Sequence, residues 1–434
     1  MSKPLVLLCN PPSSLGNVAD REGTYGMGAW LAAGMEARAP HTLAWSAAVL
    51  QKEGWHVRGL DATATGMDPA SCIATIAVQH PALVVLLSSP TTAQADLDFV
   101  RALRQQLPTV RLLLVGLATR YLPHSMVQAA DMVLIGEPEG AIDAACRHLL
   151  VQGSPVGECS PGTLNVAGYD GRGHLLDLKR LPIPAWDLFP VRRYAALPVM
   201  LARSCAYHCR YCAAPVTQGR VRRIRDAEQV VREMEELHWR FGVSHFHFWD
   251  PLFAAERVDA ERLCGTLERS SVRRHITWSC ETRPETLDLH LLQRMQRAGC
   301  SEIHLGVESV SPEALIAVGR LPDAHAVQSY LTKVREVVLG CRAFEIACHL
   351  HVMAGLPGNR NAASITRTFL RAYSFQAIHV SPLTPYPGTS IFPTNQVEKE
   401  TAILNQAVAP DAPLPTEPFR LQDILRSKRH LSSI

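Results

Sequence analysis

The chain lacks any apolar run near the ~20 residues that span a bilayer; its longest runs, residues 83–87 and 112–115, have strand length. No signal-peptide pattern follows Met1, so we expect a cytoplasmic protein. An excess of charge is also missing, with 43 Lys+Arg against 40 Asp+Glu, and this balance argues against a dedicated nucleic-acid-binding protein. A composition that is 47% hydrophobic and 19% charged excludes intrinsic disorder.

Two nucleotide-binding motifs are absent from the first 150 residues. No G-x-G-x-x-G follows the first predicted strand, and no G-x-x-x-x-G-K-[ST] loop occurs, so neither NAD nor ATP is the expected ligand. Short Val/Leu/Ile runs instead alternate with amphipathic stretches, which is typical of a parallel sheet with helices on both faces. We predict an open, doubly wound, Rossmann-like domain over residues 1–150 that binds a bulky ligand. Strands are predicted at 4–9, 56–60, 82–87, 111–115 and 132–135, and helices at 43–53, 72–79, 94–106, 124–129 and 141–151.

Ligands of such sheets bind beyond the carboxyl ends of the strands. In this chain those ends carry small, turn-forming or polar residues, which ordinary βα turns also contain. The residues concerned are Asn10, Pro11, Ser88, Ser89, Gly116, Gly136 and Glu137.

The periodicity lapses over residues 151–195, which we predict to be a linker. Alternation of strands and helices resumes over residues 196–392 and predicts a partial (βα)6 TIM-like barrel. A helix is predicted at 227–241, with Asp226 and Gln229 as a capping pair. Residues 393–434 form a charged, proline-containing C-terminal segment. The barrel strands are predicted at 198–202, 244–248, 275–279, 302–306, 346–353 and 378–381.

The 12 cysteines are not expected to form a disulfide framework in a long chain without a secretion signal. Nine are scattered, but Cys205, Cys209 and Cys212 form a C-x3-C-x2-C motif on the loop after the first barrel strand. Three thiolates on a short loop can bind three irons of a 4Fe-4S cubane and leave the fourth iron open to a ligand. The alternative is a zinc site with His208 as its fourth ligand.

With Tyr211 as the aromatic residue before Cys212, the motif resembles that of the radical S-adenosylmethionine (radical SAM) enzymes. Further segments are similar to motifs of that family and fall in the expected order. Together with the first domain, they make residues 4–392 resemble the subgroup of radical SAM enzymes that has a cobalamin-binding domain. The segments are 181–187, 248–253, 280–284, 306–309, 355–358 and 384–389.

The resemblance implies three cofactors: a 4Fe-4S cluster on the three cysteines, S-adenosylmethionine, and cobalamin at the strand ends of the first domain. An arginine fork suits the carboxylate of S-adenosylmethionine, and a glutamate suits its ribose or ammonium group. The alternatives are a solvated loop ion pair for these two charged residues and a core position for the tyrosine. The residues implied for S-adenosylmethionine are Tyr211, Asp250, Arg283, Glu308 and Ser309.

The D-x-H-x-x-G motif, whose histidine ligates cobalt in other cobalamin domains, is absent from residues 1–150. The histidines there lack that context, so we expect base-off cobalamin without a histidine ligand. Among them are His41, His56, His80 and His124. Leu117 follows Gly116 where the subgroup has a second glycine, which predicts a different path for that loop.

The resemblance implies a methyltransferase that acts on an unactivated carbon through a 5′-deoxyadenosyl radical and methylcobalamin. A cobalamin-dependent cyclase or rearrangement enzyme, and a metal- or cobalamin-binding sensor, are the alternatives. The implied partners are a small-molecule or natural-product substrate and an electron donor such as flavodoxin or ferredoxin, with no nucleic acid. Two histidine pairs, His245/His247 and His349/His351, share strand faces and predict either a polar lining of the barrel or a metal site.

Overall fold

The computed structural model describes residues 3–13, 16–151, 163–165, 176–358, 361–370, 376–386 and 388–392. Two compact units are present: residues up to 206 together with 213–247, and residues 207–212 together with 248–392. Within the described ranges, no helix is long and apolar enough to cross a lipid bilayer. The predicted C-terminal segment, 393–434, lies outside the described residues, as does most of 151–175.

The described strands fall close to the predicted ones, with additional short strands around them. In chain order they are β1 Leu5–Asn10, β2 Asn17–Asp20, β3 Ala29–Ala32, β4 His56–Asp61, β5 Leu83–Leu87, β6 Arg111–Val115, β7 Met132–Ile135, β8 Thr163–Asn165, β9 Leu197–Val199, β10 Ala202–Arg203, β11 Arg223–Ile224, β12 His245–Phe248, β13 Thr277–Thr282, β14 Cys300–Glu308, β15 Ala347–Ala354 and β16 Ala377–Pro382.

Helices alternate with the strands of both sheets. They are α1 Gly23–Gly26, α2 His41–Lys52, α3 Ala62–Thr65, α4 Pro69–Gln79, α5 Ala93–Gln106, α6 Ala118–Tyr121, α7 Pro123–Ala129, α8 Ile142–Leu150, α9 Ala214–Gln218, α10 Ala227–Phe241, α11 Arg257–Arg269, α12 Leu289–Arg297, α13 Pro312–Ala317, α14 Ala324–Ala343 and α15 Ala362–Leu370.

The first sheet is parallel, with the strand order β4-β1-β5-β6-β7-β8. Every residue of β5 is buried, because helices cover both faces of the sheet. The order reverses at β1, which pairs with β4 on one side and β5 on the other. Such a reversal is the point at which doubly wound sheets bind ligands. The carboxyl ends of β1 and β5 are therefore the positions of interest in this sheet.

The second sheet has the order β16-β15-β14-β13-β12-β9, so its strands follow one another in chain order. Strands β13 to β16 pair in parallel. In β15 buried and half-buried residues alternate, with Leu350 and Val352 on the buried face and His349 and His351 on the other. This pattern is typical of a barrel wall with helices outside and a polar interior. The predicted fold class, a Rossmann-like domain followed by a partial (βα)6 barrel, is confirmed.

The predicted bounds of helix α10 are confirmed, but the predicted capping pair is wrong. The Asp226 side chain caps no backbone N–H and instead lies 2.8 Å from Lys179 Nζ. Gln229 Nε2 donates to the Leu181 carbonyl over 2.9 Å. Both side chains therefore bind residues of the 176–196 segment instead of capping the start of α10.

Candidate functional site

The three motif cysteines lie on one loop between β10 and α9. Cys205, Cys209 and Cys212 are half-buried, whereas every other cysteine in the described ranges is buried. Ser204, which precedes the loop, has a left-handed backbone with φ 82°, and its N–H and hydroxyl donate to Gln218 over 3.0 and 2.7 Å. Among the described cysteines, these three are therefore the ones that a ligand can reach.

Residues 207–212 are held against the end of helix α13. The Arg210 N–H donates to the Val318 carbonyl over 2.8 Å, and Arg210 Nη1 donates to the Ala317 carbonyl over 3.0 Å. Gly319 follows with φ 63°, and a Cβ there would lie 3.3 Å from the His208 carbonyl oxygen. The helix end therefore fixes the backbone from which Cys209 and Cys212 project.

Arg283, one residue after β13, lies beside Cys209. Its guanidinium stacks on Tyr207, 3.8 Å from the ring centroid, and Nη1 lies 3.7 Å from Cys209 Sγ. Nη2 donates to Glu285 Oε1 over 2.6 Å. Arg283 Nε is buried and has no hydrogen-bond partner within the described ranges. One donor of the fork therefore remains for a ligand.

Glu285 and Arg320 complete this charge cluster, and sequence reasoning did not single them out. The Arg320 fork donates to both carboxylate oxygens of Glu285, over 2.8 and 3.2 Å, and to the Gly306 carbonyl over 2.9 Å. The Arg320 side chain is 1% exposed. Glu285 could have been found from its place two residues after Arg283 in the sequence. Its pairing with Arg320, 35 residues later, could not.

Glu308 ends β14 in a strained conformation. Its φ is 63°, in the left-handed region that favours glycine, and a Cβ on Gly306 would lie 2.9 Å from Glu308 Oε1. Burial raises the pKa of Glu308 to about 7, and a hydrogen bond from Tyr211 opposes that rise. Burial also raises the pKa of the Cys209 thiol, while Arg283 opposes it. The thiol of Cys209 therefore interacts with the side chains of Tyr211, Glu308 and Arg283.

Asp250 and Ser309, the other two residues predicted near S-adenosylmethionine, are buried. The Ser309 hydroxyl accepts from the Ser311 N–H over 3.1 Å and lies 3.4 Å from Thr366 Oγ1. These contacts engage the Ser309 hydroxyl within the fold. The predicted roles of both residues stay predictions.

A buried ion pair organises the strand ends of the first sheet. Arg21 contacts Asp96 over 2.6 Å, and both side chains are 1% exposed. Arg21 also donates to Asn10 Oδ1 and to the Pro11 carbonyl, over 3.1 and 2.8 Å. Ser88 donates to Asp96 over 2.7 Å. The pair brings together three predicted cobalamin residues from β1 and β5, and sequence reasoning missed both of its members.

Glycines allow the loops to approach closely at this edge. Gly116 has φ 96°, and a Cβ there would lie 2.4 Å from the Ser88 carbonyl oxygen. Gly28 has φ 83°, and its Cβ would lie 2.0 Å from Ser89 Oγ, which in turn is 2.8 Å from Thr92 Oγ1. Leu117 is buried. The edge presents small residues, and its hydroxyls are engaged within the fold.

Glu137 follows Gly136, whose φ is 121°. Its carboxylate accepts from Arg203 over 2.9 Å and from Arg223, and Arg203 also donates to Glu139 over 2.6 Å. Burial alone would raise the pKa of Glu137, but the two guanidinium groups hold it below its usual value. Glu137 therefore ties the end of β7 to strand β10, two residues before Cys205.

The histidines of the first domain differ in their surroundings. His41 is buried 3.4 Å from Glu22, and burial lowers its pKa to about 3, so its ring is neutral. His56 and His80 are exposed. The side chain of His124 lies outside the described residues. The expectation of cobalamin without a histidine ligand stays a prediction.

The chain is similar to known radical SAM proteins in sequence. Residues 199–360 match the Radical SAM superfamily. The chain is 25% identical to an uncharacterized methyltransferase of Pyrococcus horikoshii over 50% of this chain and 46% of that protein. It is 28% identical to the hopanoid C-2 methylase of Rhodopseudomonas palustris over 38% of this chain and 33% of that protein. The matched regions thus span less than half the length of either relative.

Solved structures show the same fold. The methyltransferase TsrM of Kitasatospora setae, solved with cobalamin and a [4Fe-4S] cluster, has a TM-score of 0.70 at 18% identity, covering 90% of this chain and 77% of that chain. The cobalamin-dependent enzyme OxsB has a TM-score of 0.65 at 15% identity, covering 93% and 55%. Residues 199–360 therefore resemble a radical SAM domain, and the predicted resemblance to radical SAM enzymes with a cobalamin-binding domain is confirmed.

Proposed function

We propose that the chain is a cobalamin-dependent radical SAM methyltransferase that acts on an unactivated carbon of a small-molecule substrate. The observation that carries the proposal is the half-buried C-x3-C-x2-C loop, whose Cys209 interacts with Arg283, Tyr211 and Glu308. The methyltransferases among the similar proteins support it.

The donor set fits a 4Fe-4S cluster. Cys205, Cys209 and Cys212 are half-buried thiols on one short loop, which can bind three irons and leave the fourth open. The Arg283 guanidinium stabilises negative charge at Cys209. When bound, the cluster and S-adenosylmethionine supply the 5′-deoxyadenosyl radical, and cobalamin supplies the methyl group. Flavodoxin or ferredoxin is the proposed electron donor.

The chain's own residues bind and orient S-adenosylmethionine beside the cysteines. Arg283 Nε, buried without a partner in the described ranges, is the proposed donor to its carboxylate. Glu308, whose pKa burial raises to about 7, accepts from the ribose or ammonium group, and Tyr211 positions it. Asp250 and Ser309 are proposed to complete the wall of this site.

Cobalamin is proposed to bind at the carboxyl ends of β1, β5, β6 and β7. The small residues there suit a large flat macrocycle, since Gly116 and Gly136 have positive φ and Ser88 and Ser89 direct their hydroxyls to Asp96 and Thr92. Arg21 and Asp96 position this edge, and Asn10 and Pro11 form its β1 side. Glu137 contributes by fixing the last loop.

The test replaces one cluster ligand in the full chain. Cys209→Ala should remove the broad iron–sulfur absorption and all reductive cleavage of S-adenosylmethionine after anaerobic reconstitution, because two thiolates cannot hold the cubane. Cys146→Ala, at a buried cysteine of α8, is the matched control and should keep both. Retained iron and full activity in Cys209→Ala would overturn the proposal.

Methyl-labelled S-adenosylmethionine then distinguishes the alternatives. A methyltransferase transfers the label to the substrate, whereas a cyclase or rearrangement enzyme forms 5′-deoxyadenosine without transferring it. A sensor protein would cleave no S-adenosylmethionine, whichever metal it carries. About four irons and four sulfides per chain are expected for the enzyme.

A further inference from the structure

A cluster of four histidines and one glutamate lies on three neighbouring strands of the second sheet. Glu302 and His304 are on β14, His349 and His351 on β15, and His379 on β16. His304 is in register with His349, and His351 with His379. None of these residues is among those described for the cysteine site. The pair on β15, His349 and His351, is predicted to be either a polar lining of the barrel or a metal site.

The three inner side chains have the geometry of a metal site. Glu302 Oε1 lies 2.7 Å from His304 Nε2 and 3.4 Å from His349 Nε2, and these ligand atoms all fall within 4.8 Å of one another. Donors at ~2.0–2.2 Å from a tetrahedral ion are about 3.4 Å apart, so only small movements are needed to admit one. The side chains are 29%, 22% and 19% exposed, so an ion has access.

The other two histidines, His351 and His379, lie within hydrogen-bond distance of the Nδ1 atoms of His304 and His349. His304 Nδ1 lies 3.0 Å from His351 Nε2, and His349 Nδ1 lies 3.0 Å from His379 Nε2. Metal-ligating histidines almost always bind a second group through the other ring nitrogen, which fixes the tautomer and the ring orientation. His304 and His349 both meet this condition, and the Nε2 atom of each, which faces Glu302, is left as the metal ligand.

We propose that Glu302, His304 and His349 bind a divalent transition-metal ion, with zinc as the reference ion, and that His351 and His379 position the two histidine ligands. Two imidazoles and one carboxylate are the ligand set of zinc and ferrous sites that keep a position open to water or another ligand. None of these five residues is assigned to the cluster, S-adenosylmethionine or cobalamin above, so the proposal does not rest on the proposed function.

The experiment uses the untagged full chain with Cys205, Cys209 and Cys212 all changed to Ala, so that no thiol of the motif competes for the ion. Titration with Co²⁺ should saturate at about one ion per chain and give visible bands without thiolate charge transfer. Zn²⁺ should displace the cobalt, and the melting temperature should rise on binding.

Substitutions in the same background give a graded result. His304→Ala and His349→Ala should abolish saturable binding, and Glu302→Gln, which keeps the side-chain shape, should weaken it. His351→Ala and His379→Ala should weaken it roughly 10- to 100-fold. His325→Ala, at an exposed histidine near the start of α14, is the control and should bind as the parent does.

Two results would overturn the site: no saturable Co²⁺ binding by the folded parent chain, or unchanged affinity in both His304→Ala and His349→Ala. The first would leave the cluster as a polar lining of the barrel. Because Glu302→Gln preserves shape and the readout is binding, a folding defect in an alanine variant does not decide the outcome.

Discussion

Replacing Arg283 distinguishes a ligand-binding role of this residue from a structural one. Its guanidinium donates to Glu285 over 2.6 Å, stacks on Tyr207 at 3.8 Å and lies 3.7 Å from Cys209 Sγ. Its Nε has no partner in the described ranges. We predict that Arg283→Ala keeps the iron–sulfur cluster but binds S-adenosylmethionine weakly.

The structure sets the magnitudes of both effects. After Arg283→Ala, Glu285 still accepts from Arg320 over 2.8 and 3.2 Å, so no carboxylate is left unpaired. The loss is then a charge-assisted hydrogen bond to Glu285, a 3.3 Å hydrogen bond to the Arg320 carbonyl and the stack on exposed Tyr207, or about 1–3 kcal/mol of unfolding free energy. A lost contact to the ligand carboxylate, at roughly 1.5–3 kcal/mol, corresponds to roughly 10- to 100-fold weaker binding.

Three measurements on anaerobically reconstituted protein check this: iron and sulfide per chain, equilibrium binding of S-adenosylmethionine, and urea unfolding. Arg283→Lys should recover part of the affinity, because a point charge cannot reproduce the planar fork. Arg257→Ala, which removes an exposed pair with Asp288, is the control and should leave the affinity unchanged. Loss of the cluster in Arg283→Ala would make the residue structural, and unchanged affinity would move the carboxylate site elsewhere.

Three further predictions concern the first domain. Burial raises the pKa of Glu22 to about 8, so the folded chain holds this proton more tightly than the unfolded chain and stability falls as pH rises from about 4.5 to 8. Glu22→Gln should abolish that fall, gaining at most about 5 kcal/mol at pH 8 in urea unfolding; identical pH profiles would contradict this. Glu137→Gln should cost about 1–3 kcal/mol, because buried Arg203 and half-buried Arg223 lose a shared charge while Arg203 keeps Glu139. Glu53→Gln, at an exposed pair, should change little. The full chain should take up about one corrinoid with a base-off spectrum, and a histidine-ligated spectrum or no uptake would refute the assignment.

The regular part of the fold could be predicted because burial and sequence period agree there. β6 and β7 have the predicted bounds, and β5 differs by one residue, since a run of Val and Leu buried on both faces leaves no ambiguity about its extent. The hairpin β2–β3 was not predicted. Its strands have four residues each, and antiparallel pairing holds them together. So short a segment carries too few residues for a period to show.

The candidate sites were likewise predictable only in part. Arg283 and Glu308 could be placed at the ends of barrel strands, because topology puts those ends on one side of a parallel sheet. Their partners could not be predicted from the sequence. Arg21 and Asp96 are 75 residues apart, and Glu285 and Arg320 are 35 apart. Such pairs depend on which loops meet, and local sequence carries no information on that.

Gly306 and Glu308 show how a short segment fixes the position of a carboxyl group. The pairing of β14 with β15 shifts register between them, and Glu308 takes a left-handed backbone that costs an ordinary residue about 1–3 kcal/mol. A Cβ at 306 would lie 2.9 Å from Glu308 Oε1, so a side chain there would displace the end of the Glu308 side chain. Arg320 Nη2 donates to the Gly306 carbonyl over 2.9 Å and so fixes the backbone before Glu308. The strained backbone and the hydrogen bond with Tyr211 restrict this half-buried carboxyl group, so a ligand that binds there has little left to order.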